Sequence, residues 1–155
     1  MIKDNKEILM EIASGTGVFR DCDLSILDEV AGDCFKNPPE YTLLSENIDG
    51  KKAGFIIFGR TPLTDFAWDI YWVVVDKQFQ GRGLGTILIK KAEDHITREQ
   101  PRAVIRIETS TREEYSSARR LYIKTGYGEV GTIPNFYSAN DGITFYSKEI
   151  KTRGD

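Results

Sequence analysis

The run Trp72-Val73-Val74-Val75-Asp76 is followed, three residues on, by Gln80-Gly81-Arg82-Gly83-Leu84-Gly85-Thr86, and few architectures can hold both segments. The β-branched centre of the first, Val73 to Val75, reads as a strand that other elements must cover. The glycines permit a tight turn with φ > 0. Leu84, Ile87, Leu88, Ala92 and Ile96 then recur at helical spacing, which predicts a helix over residues 83–100. Strand, glycine turn and helix in succession require a helix lying back on a sheet. They also aim several bare amide N–H groups at one spot, at the positive end of the helix dipole. That arrangement suits a pyrophosphate; a strand-to-helix turn that binds nothing makes the same local demands.

The rest of the pattern predicts short alternating elements. Ile8 to Ile12 reads as a first strand, followed by a turn at Gly15-Thr16-Gly17. Asp23 or Ser25 is placed to cap a helix running to about Phe35, with Leu24, Leu27, Val30, Ala31 and Phe35 on one face. Asn37-Pro38-Pro39 ends it. Tyr41 to Ile48 and Ala53 to Gly59 read as a hairpin around Asp49-Gly50. Ala67 to Asp76 is the long central strand. Ala103 to Ile107 reads as a strand and Glu113 to Thr125 as a helix stopped by Gly126. Val130 to Phe136 and Ile143 to Ile150 form a closing antiparallel pair. The implied order, β-α-β-β-β-α-β-α-β-β, gives an α+β fold. Its central sheet is mixed and mostly antiparallel, with about seven strands and helices on both faces. Residues 1–150 form a single domain in this reading, and residues 151–155 a frayed tail.

Composition narrows the function classes. At 40% hydrophobic and 29% charged residues, the chain has the balance of a globular protein. No apolar run reaches the ~18 residues that a membrane helix needs. The N-terminal residues hold no apolar stretch of signal-peptide type. A cytoplasmic protein with no membrane partner is the expectation. A net charge of −3 argues against nucleic acid as a partner. Cys22 and Cys34 read as free thiols, and with His95 they show no metal-ligand spacing, so no metal is expected.

The glycine spacing separates this turn from other phosphate loops. A dinucleotide fingerprint needs G-x-G-x-x-G, but the third glycine, Gly85, comes one residue early. The G-K-[ST] of a Walker A loop is missing from the sequence. What is present, Gln80 to Gly85, is Q-x-x-G-x-G. It resembles the pyrophosphate motif of the GCN5-related N-acetyltransferases, the GNAT superfamily. A second segment, Ala118 to Tyr127, is similar to that superfamily's A-x-x-L-Y-x-x-x-G-[FY]: Ala118, Leu121, Tyr122, Gly126 and Tyr127 all match. The resemblance covers nearly the whole chain and is strongest over residues 67–127. One position departs from it. Members often carry Asn three residues before the Ala, holding the pantetheine arm; here Tyr115 stands there, and Ser116 or Ser117 is left to make that contact.

The resemblance implies acetyl-CoA as co-substrate and a small-molecule or peptide amine as acceptor. Homodimers are common in the superfamily, with no signature of one in this sequence. Backbone groups of Val73, Val74 and Val75 would hold the pantetheine and polarise the thioester, freed by a bulge that splays their strand from its neighbour. Gln80, Gly81, Arg82, Gly83, Leu84, Gly85 and Thr86 would hold the pyrophosphate. Ser117 and Tyr122 would complete the cofactor site, with Tyr122 as general acid for the departing thiolate. An alkyl ammonium has pKa ~10.4, so the acceptor must shed a proton. Asp69 stands where histone-type members carry a Glu base, and Glu108 is the second candidate. Two further readings stay open: Asp69 as a structural carboxylate bonded to a nearby loop, and a reaction carried by positioning alone. Phe35, Tyr71 and Tyr137 are candidate acceptor contacts, drawn from or near loops 32–41, 59–66 and 133–142. Two functions are therefore in play: an N-acetyltransferase moving the acetyl group directly to an amine, and a catalytically silent acyl-CoA-binding sensor on the same fold.

Overall fold

The computed structural model describes residues 4–152. Two helices come first, α1 (Lys6–Gly15) and α2 (Asp21–Asp33), then β1 (Thr42–Ile48), β2 (Lys51–Arg60) and β3 (Ala67–Val75). They are followed by α3 (Leu84–Glu99), β4 (Arg102–Ser110), α4 (Ser116–Lys124), β5 (Gly128–Ser138) and β6 (Asp141–Lys151). Among the described residues the sheet has six strands, in the order β1-β2-β3-β4-β6-β5. β3 and β4 run parallel, while β1–β2, β4–β6 and β5–β6 are antiparallel. The mixed, mostly antiparallel α+β fold is therefore present, with six strands in place of about seven.

The strand expected at Ile8–Ile12 is helix α1. The Asn5 side chain caps it by accepting the N–H of Ile8, and Leu9, Ile12 and Ala13 are its buried residues. That is the spacing of one helical face. Over so few residues, a period of 2 and a period of 3.6 look alike. Helix α2 starts two residues before Asp23. Asp23 is not its cap: its carboxylate accepts the backbone N–H of Arg20 at 3.0 Å and Arg20 Nε at 3.1 Å. The helix ends at Asp33, which leaves Phe35 beyond it, 46% exposed. Glu113–Tyr115 form a 3-10 turn ahead of α4. Lys151 closes β6, and the Thr152 N–H donates to Pro101 O at 2.8 Å. The rest of the expected tail, residues 153–155, lies outside the described residues.

Close packing divides the chain into two compact units. One contains the residues up to Gly59 with Trp72–Ala92; the other contains Arg60–Tyr71 with the residues from Glu93 on. In the first, Leu9, Ile12 and Ala13 of α1 and Leu27 and Ala31 of α2 pack with Phe55 and Ile57 of β2 and Val74 of β3. Gly54 faces the other way. A Cβ there would lie 3.2 Å from the Leu88 side chain of α3. One face of β2 thus carries α1 and α2 and the other carries α3, which is why β2 is buried from Lys52 to Gly59. In the second unit, buried Ala103, Ile105, Ile107 and Thr109 of β4 alternate with exposed Arg102, Arg106 and Glu108. Among the described residues, no helix is long and apolar enough to cross a membrane.

Candidate active site

The turn after β3 is built to leave amides bare. The Asp76 N–H donates to Ala53 O at 2.8 Å, and its carboxylate accepts the Gln78 N–H at 2.8 Å, starting the 3-10 turn Lys77–Phe79. Gly81 (φ 81°) and Gly83 (φ 77°) then take left-handed conformations that a side chain would strain. A Cβ at either would meet nothing within 4 Å, so a ligand has room to approach both. The first intrahelical bond of α3 is Ile87 N–H to Gly83 O, 3.2 Å. The amides of Leu84, Gly85 and Thr86 therefore precede any intrahelical partner, and Gly83 has no side chain with which to cap them. Gly85 lies inside the helix and needs no positive φ. Among the described residues, Arg82 makes no hydrogen bond or ion pair; its guanidinium lies over the Phe79 ring, 5.5 Å from the centroid. Gln80 folds its side-chain amide back onto Val75 O, at 3.3 Å. This turn, a set of bare donors beside a guanidinium free of ion pairs, has the chemistry to take the two negative charges of a pyrophosphate.

The strand feeding that turn leaves its neighbour. The β3–β4 ladder runs from Ala67↔Val104 to Ile70↔Ile107 and stops. β3 continues through Tyr71, Trp72, Val73, Val74 and Val75, so the backbone edge of these residues is not spent on the β4 ladder. A residue the sequence reading passed over protects this segment: at Gly54 a Cβ would lie 2.7 Å from Val74 O and 3.4 Å from Val75 Cα.

Tyr122 sits on α4 in the second unit, 7% exposed, its ring 5.6 Å from that of Tyr146. Among the described residues its hydroxyl has no hydrogen-bond partner. A nearly buried phenol normally has one. Burial pushes its pKa up, and the neighbouring Tyr115 and Tyr146 add to the effect, so the proton is held. The backbone around it is fixed: Tyr122 O accepts the Tyr127 N–H at 2.9 Å and the Thr125 hydroxyl at 3.1 Å.

The two candidate bases differ sharply. Asp69 is buried and engaged at both oxygens: Thr61 Oγ1 donates to one at 2.7 Å and Arg106 Nε to the other at 2.7 Å. Glu108 is exposed and lies 3.8 Å from Arg106 Nε. The hydrogen bond from Arg106 to Asp69 raises the guanidinium pKa further. Ser117 Oγ accepts from Arg120 Nη2 at 3.2 Å. His95 pairs with Glu99 one turn along α3, at 3.0 Å.

Of the proposed acceptor contacts, Phe35 and Tyr71 are exposed, on different units. Tyr137 belongs to a bulge that the sequence did not reveal. Between Ile133↔Ile143 and Ser138↔Asp141, β5 carries extra residues opposite Gly142. Asn135 takes φ 56° there, and a Cβ at position 142 would lie 2.7 Å from Ile133 O. The bulge projects Phe136 and Tyr137 as an edge-to-face pair, centroids 5.3 Å apart. The Asn at position 135 was the available hint, since Asn tolerates positive φ better than most side chains. Among the described residues, no group of three His, Cys, Asp or Glu is placed to hold a metal.

These features correspond to a known family. The profile of the acetyltransferase (GNAT) family matches residues 7–127, and the chain belongs to that family. A GNAT-family protein from Desulfovibrio desulfuricans superposes with a TM-score of 0.85, at 25% identity over 93% of this chain and 91% of that one. The ribosomal-protein-S18-alanine N-acetyltransferase of Escherichia coli superposes with a TM-score of 0.75, at 17% identity over 100% and 94%. A Salmonella typhimurium protein solved with its cofactor acetyl-CoA gives 0.72, at 17% identity over 98% and 94%. No curated protein matches the sequence closely enough to count as a relative.

Proposed function

We propose that this member of the family moves the acetyl group of acetyl-CoA directly onto an amine. The observation that carries this reading is the Tyr122 hydroxyl, nearly buried and without a hydrogen-bond acceptor of its own. The turn from Gly81 to Thr86 would grip the pyrophosphate through its amides and Arg82. The backbone of Val73, Val74 and Val75 would bond the pantetheine and polarise the thioester carbonyl. The acceptor ammonium gives one proton to a base, and the freed nitrogen forms a bond to the carbonyl carbon. The tetrahedral oxyanion then collapses, the C–S bond breaks toward sulfur, and the nitrogen's second proton passes to the sulfur, leaving the amide and the CoA thiol. Tyr122 supplies the hydrogen bond that the departing thiolate needs. With its pKa pushed up, it stabilises the thiolate as a donor rather than surrendering its proton outright. Glu108 is the better base of the two carboxylates, because Asp69 has no free oxygen and serves to position Arg106. Phe35, Tyr71, Tyr137 and Ser117 remain proposed ligand contacts. An E. coli neighbour acetylates an alanine of a ribosomal protein, which supports an amine acceptor as the class. Calorimetry with CoA and a thiol-release assay over an amine panel test the proposal. Binding followed by turnover is expected; absent CoA binding, or binding with no turnover of any amine, overturns it.

A further inference from the structure

Deepening that acetyl-transfer reading and resting on it, we propose that the acceptor carries a carboxylate beside its amine, as an α-amino acid does, and that Arg106 is the residue that receives it. Arg106 stands on the open face of β4, its side chain 49% exposed. Its Nε is spent on Asp69 at 2.7 Å, and Asp69 is itself braced by Thr61 at 2.7 Å. The guanidinium is thereby fixed at its inner edge. Among the described residues its two terminal amino groups, Nη1 and Nη2, make no hydrogen bond. Two parallel N–H donors on a braced plane form the fork that takes a carboxylate in bidentate fashion.

Glu108 gives the second half of the match. It stands two residues along the same strand, on the same face, with its carboxylate 3.8 Å from Arg106 Nε. That separation is too long for a hydrogen bond, so neither group satisfies the other. A cation and an anion a few ångströms apart present the mirror image of a zwitterion whose ammonium and carboxylate share one carbon. The ammonium faces Glu108, which accepts one proton; the freed nitrogen attacks the thioester carbon, the C–S bond breaks toward sulfur, and the nitrogen's second proton passes to the departing thiolate. The carboxylate on Arg106 stays unreacted throughout. Asp69 thus acts through Arg106 and is a positioning residue.

The test is thiol release at saturating acetyl-CoA. The probes are the proteinogenic L-amino acids, their methyl esters and the corresponding decarboxylated amines. An acid should be preferred to its ester by roughly tenfold or more in kcat/KM, since two charge-assisted hydrogen bonds are lost on esterification. Arg106→Gln should shrink that ratio toward unity, and Arg106→Lys, which keeps charge but loses the fork, should restore it only in part. Asp69→Asn should shrink it by a route that raises KM for the acid more than it lowers kcat. Esters or simple amines turned over as fast as the acids, or Arg106→Gln lowering all probes equally, would sink the inference while leaving acetyl transfer intact. Turnover of none of the probes also overturns it. Failure to bind CoA at all would instead remove the acetyl-transfer reading beneath it.

Discussion

Tyr122 and Cys34 show how burial sets the chemistry of single side chains. Tyr122→Phe removes one hydroxyl from a ring that stays packed on Tyr146. If that hydroxyl stabilises the thiolate, kcat should fall by about a hundredfold, the low end for a positioned proton donor. The loss should shrink with acyl donors whose thiol is more acidic, because such thiolates need less help in leaving. A deficit independent of the leaving group would point to packing instead. Cys34 is governed by the same physics with a different outcome. Burial, aided by the Asp33 charge, pushes its thiol pKa up to about 11, while its Sγ sits 3.3 Å from Val30 O. Only the thiolate reacts, and each unit of pKa removes about tenfold of it. Cys22 is exposed. Mass spectrometry after brief iodoacetamide treatment at pH 8 should find Cys22 alkylated and Cys34 largely spared; equal labelling would contradict this.

At the scale of elements, the turn after β3 and the strand behind it use glycine for opposite reasons. Gly81 and Gly83 need their φ values of 81° and 77°, while the space about them is open. Alanine at either should cost about 1 kcal/mol of stability through backbone strain alone, and should weaken CoA binding on calorimetry. Gly54 has an ordinary φ but no room, since a Cβ would lie 2.7 Å from Val74 O. Gly54→Ala must therefore push β3 away and should lower the melting temperature more than either turn variant. The opposite ranking would mean that β3 yields easily. The Gly81–Gly83 turn was legible in the sequence because its residues are the signal: glycine at fixed offsets between a β-branched run and a helical pattern. The role of Gly54 was not, because it depends on which backbone comes to lie beside it. Helix α1 was misread for a related reason. Ile8 to Ile12 is short, and its helical state is settled by the Asn5 cap and by burial of Leu9, Ile12 and Ala13 against α2 and β2. The bulge at Pro134–Tyr137 was hidden because two strand patterns predict a ladder and not where it slips. The partners of Asp69 were hidden too: its bonds to Thr61 and Arg106 join separate segments of the chain, and no local pattern announces them.

Across the molecule, distant segments are tied by groups that must be buried together. Glu93 of α3 is 10% exposed in its side chain and Lys148 of β6 is 26% exposed. Lys148 Nζ donates to Glu93 Oε1 at 2.9 Å, to Oε2 at 3.1 Å and to Thr125 O at 2.9 Å, just past the end of α4. The Tyr127 hydroxyl adds a bond to Glu93 Oε1 at 3.1 Å. A cation at that end complements the α4 dipole, so one ammonium joins β6, α3 and α4. Lys148→Met would leave the Glu93 charge with only the Tyr127 hydroxyl and should cost about 3 kcal/mol, the low end for orphaning a buried charge. Adding Glu93→Leu should recover much of that loss, since the uncompensated charge disappears; additive losses in denaturant unfolding would contradict the coupling. The same network sets a pH limit. Burial and Glu93 push the Tyr127 pKa up, and burial does so for Tyr122. In the unfolded chain both tyrosines ionise near pH ~10, while in the fold they keep their protons. Stability from these two groups is therefore full below about pH 10 and declines as pH rises further, because the unfolded state gives up protons first. Tyr127→Phe should flatten that decline in urea titrations between about pH 9 and 11, whatever it costs at neutral pH; an unchanged slope would show that Tyr127 ionises as freely in the fold as outside it.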